Sequence, residues 1–100
     1  MLAENKLTVL ATIIARPGKE AELRALLLSL LAPTRQEAGC LNYDLHVAPD
    51  QPGKFLFHEN WESQAHLDAH LKTPHLTFAL RRLDELAAEP PHLAFWHQIG

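Results

Sequence analysis

The run Leu7-Thr8-Val9-Leu10-Ala11-Thr12-Ile13-Ile14-Ala15 is rich in β-formers and apolar at both parities. Leu7, Val9, Ala11 and Ile13 fall on one face of such a strand, and Leu10 and Ile14 on the other. A strand of this kind is covered on both sides. The chain has only 100 residues, and a domain of that size buries about two-thirds of its unfolded surface. Two covering layers and a pocket are more than it can supply. A second copy provides the missing layer, so a homodimer is expected.

After this strand, Arg16-Pro17-Gly18-Lys19 breaks the run, and a helix from about Gly18 buries Leu23, Leu26, Leu27, Leu30 and Leu31 at spacings of three and four. Pro33 is expected to kink its last turns and Gly39 to end it. Two strands follow, Cys40 to Val47 and Lys54 to Trp61, joined by the turn-forming segment Ala48-Pro49-Asp50-Gln51-Pro52-Gly53. Leu41, Tyr43, Leu45 and Val47 share a face in the first; Phe57, Glu59 and Trp61 share one in the second. Ser63 caps a short helix, Gln64 to Lys72, with Leu67, His70 and Leu71 inward. A second helix, Pro74 to Ala88, turns Leu76, Ala79, Leu80, Leu83 and Ala87 inward, and a last strand runs from His92 to Ile99.

Strand, helix, strand, strand, helix pair, strand is the split βαβ order of a ferredoxin-like α+β domain spanning residues 1–100. Right-handed crossovers place the helices on one face of its sheet. The other face is left for the partner copy.

A net charge of −3 with basic residues spread along the chain argues against nucleic acid as a partner. No apolar run approaches the roughly 20 residues that span a bilayer, and Met1-Leu2-Ala3-Glu4-Asn5-Lys6 carries no signal pattern. A soluble cytoplasmic protein is expected. The single Cys40 excludes an internal disulfide and reads as a small half-buried residue.

Chemistry concentrates between Phe57 and His75. Glu59 sits between Phe57 and Trp61 on an otherwise apolar face, where burial raises a carboxyl pKa towards neutrality; the plainer reading is a rim position or a structural hydrogen bond. His70 and His75 flank Pro74, a turn that can aim both rings at one cavity. As alternatives, His70 is a satisfied core histidine and His75 a first-turn residue. Tyr43, Phe57, Trp61 and Trp96 can line a pocket for a flat ring, or simply pack the core. His66 and His70 have the i, i+4 spacing of two metal ligands, but local spacing fixes no third, and no metal site is expected. Neither a phosphate-binding glycine loop nor a serine nucleophile elbow is present.

Four segments together resemble the antibiotic biosynthesis monooxygenase domain, in its small quinol monooxygenase-like branch. They are Ala15-Arg16-Pro17-Gly18-Lys19-Glu20, Glu37-Ala38-Gly39-Cys40-Leu41-Asn42-Tyr43, Phe57-His58-Glu59-Asn60-Trp61, and His70 through His75. The resemblance implies a dimeric α+β barrel with one pocket per subunit, between sheet and helices. It implies cofactor-free oxygenation of a phenolic or quinol-type aromatic substrate by O₂, without flavin, haem or metal. On that model Glu59, His70 or His75 moves the proton, while Tyr43 and Trp61 position the ring. The same fold also hosts an isomerase of a small phosphorylated molecule, which here would need basic residues such as Arg81 or Arg82 in the pocket. Haem degradation lacks its asparagine, since Thr8, Thr12 and Asn60 give no clear match. A non-catalytic ligand-binding or dimerisation module predicts Glu59 exposed, or hydrogen-bonded with no cavity beside it.

Overall fold

β1 (Leu7–Ile14) alternates buried and half-buried positions along its whole length, with Leu7, Val9, Ala11 and Ile13 in the core. The computed structural model describes residues 6–100. The residues before Lys6, part of the segment read as lacking a signal, lie outside the described residues. Beyond β1 come α1 (Glu20–Ser29), α2 (Leu31–Arg35), β2 (Cys40–Ala48), β3 (Gln51–Trp61), α3 (Gln64–His70), α4 (Pro74–Leu86) and β4 (His92–Trp96). The sheet order is β2-β3-β1-β4 with every neighbouring pair antiparallel. This is the expected ferredoxin-like arrangement. Leu23, Leu27, Leu67, Leu76, Ala79 and Leu83 from the helices join the odd-numbered residues of β1 in one core.

Five local expectations change. Pro33 breaks the first helix instead of kinking it: its ring crowds the carbonyl four residues back, that of Ser29, where α1 ends. Leu31 is only partly buried, and Thr34 takes the inner position. The hairpin is tighter than expected, because β3 begins at Gln51 and pairs it with Ala48; Pro52 is accommodated near the start of the strand. A register shift between Cys40 and Asn42 makes Leu41 the unpaired residue of a bulge, so Leu41 is 51% exposed while Cys40, opposite Trp61, packs against the core. β4 stops at Trp96, which pairs with Thr8 near the beginning of β1; the ladder ends there.

Gly39 sets the entry to β2. Its φ of +80° lies in the left-handed region, and a Cβ there would fall on the ring of His66. Gly39→Ala is therefore expected to destabilise the fold by about 2–4 kcal/mol, from the backbone penalty plus overpacking. Urea unfolding checks this through a lowered midpoint at unchanged slope.

The sheet face away from the helices is half-covered at Leu10, Thr12, Ile14 and Leu56. A polar ladder crosses it: Thr8 Oγ1 donates to Asn60 Oδ1 (2.5 Å), Asn60 Nδ2 to Asn42 Oδ1 (2.7 Å), and Asn42 Nδ2 to Asp44 Oδ2 (3.0 Å). Among the described residues no helix is long and apolar enough to cross a membrane.

Candidate active site

Strand pairing delivers Glu59 to the helix-covered face. Its cross-strand neighbours are Val9 on β1 and Tyr43 on β2, both buried, and Glu59 itself is only 5% exposed. Burial pushes its pKa from 4.5 up to about 7; the hydrogen bond from Trp61 opposes the rise, and the nearby Glu37 charge adds to it. Trp61 Nε1 donates to Glu59 Oε1 at 3.0 Å. The strand therefore supplies both the carboxyl and the donor that orients it.

Glu59 opens onto a cavity of about 250 Å³ between the sheet and the helices. Its polar lining residues are Glu59, His70 and Tyr43; apolar side chains, among them Phe57, Leu67, Leu76 and Phe95, complete the wall. Leu71, Leu80 and Leu93 line it while remaining exposed, which places the mouth at α4, β4 and the end of α3. Leu71 and Leu80, read as core, are mouth residues. Tyr43 stacks on Phe57 with ring centroids 4.6 Å apart, and desolvation lifts its phenol above the ordinary range, so it stays protonated. No Lys or Arg lines the cavity, Arg81 and Arg82 included.

His70 ends α3, which Ser63 caps by accepting from the His66 backbone N–H. Its ring packs 4.7 Å from that of Trp61 and 5.5 Å, edge-on, from Tyr43. Burial lowers its pKa, while the bond to Glu37 opposes the shift, so the ring is neutral at pH 7. His70 Nδ1 and His75 Nε2 both lie 2.8 Å from Glu37 Oε2. A carboxylate oxygen only accepts, so each ring donates to it, which leaves His70 Nε2 as the acceptor.

Of the residues expected from sequence, Glu59, His70, Tyr43 and Phe57 line the cavity. Trp61 is fully buried behind it, touching Glu59 and His70. His75 stands outside the lining and reaches it through Glu37. Trp96 is not part of the cavity: it pairs with Thr8, on the opposite face of the sheet, and is 58% exposed. Parity along β4 could have shown this, since Leu93 and Phe95 take the inward positions. Glu37 was missed as a site residue. It lies in the turn between α2 and β2, 33 positions before His70, and no local spacing connects them. The His66–His70 pair shares no ligand point, because His66 Nδ1 contacts Ser63 Oγ at 2.8 Å while His70 turns to Glu37.

Comparison with known proteins agrees with this architecture. The family model described as antibiotic biosynthesis monooxygenase matches residues 6–82. The chain is 36% identical over 86 residues to the Mycobacterium tuberculosis protein named "Putative monooxygenase Rv0793", covering 86% of this chain and 84% of that one. It is 36% identical over 80 residues to the Escherichia coli protein named "Probable quinol monooxygenase YgiN", covering 70% and 77%. An uncharacterized Synechocystis protein, sll1783, is 30% identical over 94 residues, and the match spans 94% of this chain but 64% of that longer protein. The crystal structure of PA3566 from Pseudomonas aeruginosa superposes with a TM-score of 0.93 at 34% identity, covering 98% of both chains. The structure of Rv0793 superposes with a TM-score of 0.90 at 31% identity, covering 96% and 97%. The family model and the backbone superpositions each cover most of the chain, and the protein belongs to the antibiotic biosynthesis monooxygenase family.

Proposed function

We propose that the chain is a cofactor-independent monooxygenase acting on a small, flat phenolic or quinol-type substrate, with Glu59 as the base. One observation carries this reading: a buried carboxyl poised near pH 7 faces an apolar cavity with Tyr43 and His70 as its polar companions. Substrate stacks along Tyr43 and Phe57, in reach of Glu59. Glu59 takes the proton of the ring hydroxyl, and the resulting phenolate, carbanion-like at a ring carbon ortho or para to the oxygen, gives electrons to O₂. A C–O bond forms at that carbon as a peroxide, which recovers the proton from Glu59. Loss of the single C–H proton at the same carbon then breaks the O–O bond. One oxygen atom stays as a carbonyl and the other leaves with both hydrogens as water, so one C–OH, one C–H and O₂ give two C=O groups and H₂O. His70, Glu37 and the part-exposed His75 form a chain of polar groups from the cavity to solvent, suited to exchanging protons with bulk water.

The isomerase alternative needs cations for a phosphate, and the cavity wall has none. Haem degradation loses further ground because Asn60 bonds Thr8 and Asn42 on the opposite face. The non-catalytic module predicts a carboxyl with no cavity beside it, unlike Glu59. The half-covered sheet face supports a homodimer built on it, closing the barrel, and a cytoplasmic protein fits this reading. Chelator-treated protein offered a panel of reduced quinols and anthrones is expected to consume O₂ well above background with at least one. Uptake at the background rate for every substrate removes the proposal.

A further inference from the structure

Glu37, His70 and His75 come from the α2–β2 turn, α3 and α4, yet their ligand atoms lie within 4.8 Å of one another. Both imidazole nitrogens aim at a single point, Glu37 Oε2, at 2.8 Å each. Two ring N–H directions converge on one carboxylate oxygen; with each ring's proton shifted to its other nitrogen, they become the pair of convergent lone pairs that a transition-metal ion requires beside a carboxylate. From this geometry we propose a divalent-cation site of the zinc class, with His70 Nδ1, His75 Nε2 and a Glu37 oxygen as ligands.

The two rings are held before any ion arrives. Thr73 caps the His70 carbonyl through its backbone N–H (3.1 Å) and its hydroxyl (2.8 Å), and Pro74 starts α4 at once, so the five-residue step from His70 to His75 is rigid. Glu37 is the adaptable member, on a side chain with three torsions. Zinc sits about 2.0–2.2 Å from nitrogen and oxygen ligands, which places neighbouring ligands roughly 3.0–3.5 Å apart. The carboxylate has only to retreat along its present hydrogen bonds while the ion takes the place of the two donated protons. His75 is about a quarter exposed, which gives an entry path and leaves the fourth position to water. Two imidazoles and one carboxylate suit zinc over magnesium or calcium, which favour all-oxygen sites.

A bound ion would hold His70 and Glu37 as ligands and remove them from proton exchange. Zinc is therefore an inhibitor of the cavity's chemistry, a consequence that rests on the oxygenase proposal above. The binding site itself does not.

Calorimetric titration of chelator-stripped protein with zinc sulfate separates the two. The expected isotherm is one ion per subunit at micromolar affinity, weakened at least 10-fold in His75→Ala and in Glu37→Gln, and unchanged in His66→Ala, which removes a different His–Glu pair (His66 with Glu62 at 4.0 Å). Cobalt absorption provides a second readout, with a visible band of low-coordinate type lost in the same two variants. Circular dichroism establishes that both are folded. Absence of binding to wild-type protein, or affinity unchanged in both variants, overturns the site. If zinc binds but O₂ uptake with an accepted substrate is unaltered, the inhibitory role is overturned and the site stands. If no substrate supports uptake, the isotherm still decides the site.

Discussion

Glu59→Gln is expected to reduce O₂ uptake at least 100-fold, the scale of a lost general base, while making the folded chain more stable at pH 8. Gln keeps the carbonyl oxygen that accepts from Trp61 Nε1, so the packing is preserved. What it removes is a group whose pKa moves from 4.5 to about 7 on burial. Below pH 4.5 folded and unfolded chains both carry that proton, and the site adds no pH dependence. Between the two values only the folded chain keeps the proton. The stability it contributes is full at low pH and is lost as pH rises through about 7. Above that, the native state holds a charge the unfolded chain leaves in water, at about 3 kcal/mol. Denaturant unfolding at pH 4 and pH 8 measures the difference; equal effects of the substitution at both values would remove the buried-charge account. A group that destabilises the fold in the state its proposed role needs is common at functional sites.

Trp61→Phe is the second large effect. The variant retains most of the apolar body but loses the N–H that favours the charged form of Glu59. Hydrogen bonds to charged groups are worth about 1.5–3 kcal/mol, so the midpoint of the activity profile should move up by roughly 1–2 pH units. Trp61→Ala goes further: Trp61 is fully buried against His70, and its truncation should cost about 3–5 kcal/mol, much of a small domain's stability. A pH–rate profile for Trp61→Phe that coincides with wild type would show that the indole does not tune the carboxyl.

Much of this was legible in the chain because two periodicities carry it. Parity alone placed Val9, Phe57, Glu59 and Trp61 on the buried face, and the 3.6-residue period turned Leu67 and His70 towards them. Strand arguments fail where parity is reset: the bulge at Leu41 takes that residue off the face it is expected to share with Tyr43, and Trp96 is grouped by composition although its parity puts it on the far face. Glu37 illustrates a different limit. Its partnership with His70 and His75 exists only because the α2–β2 turn and the α3–α4 connection meet in space, and nothing in the local spacing of either segment announces the other. Cavity size also depends on how far the helices stand from the sheet, which no pattern of apolar residues encodes.

The account turns on whether Glu59 is a buried carboxyl poised near neutrality. A ¹³C NMR titration of the side-chain carboxyl signals, with Glu59 assigned by its disappearance in Glu59→Gln, reads this directly and needs no substrate. The predicted result is one glutamate titrating at about pH 7. A Glu59 midpoint near 4.5, the value of an unperturbed glutamate, would contradict it and leave the cavity without the proposed base.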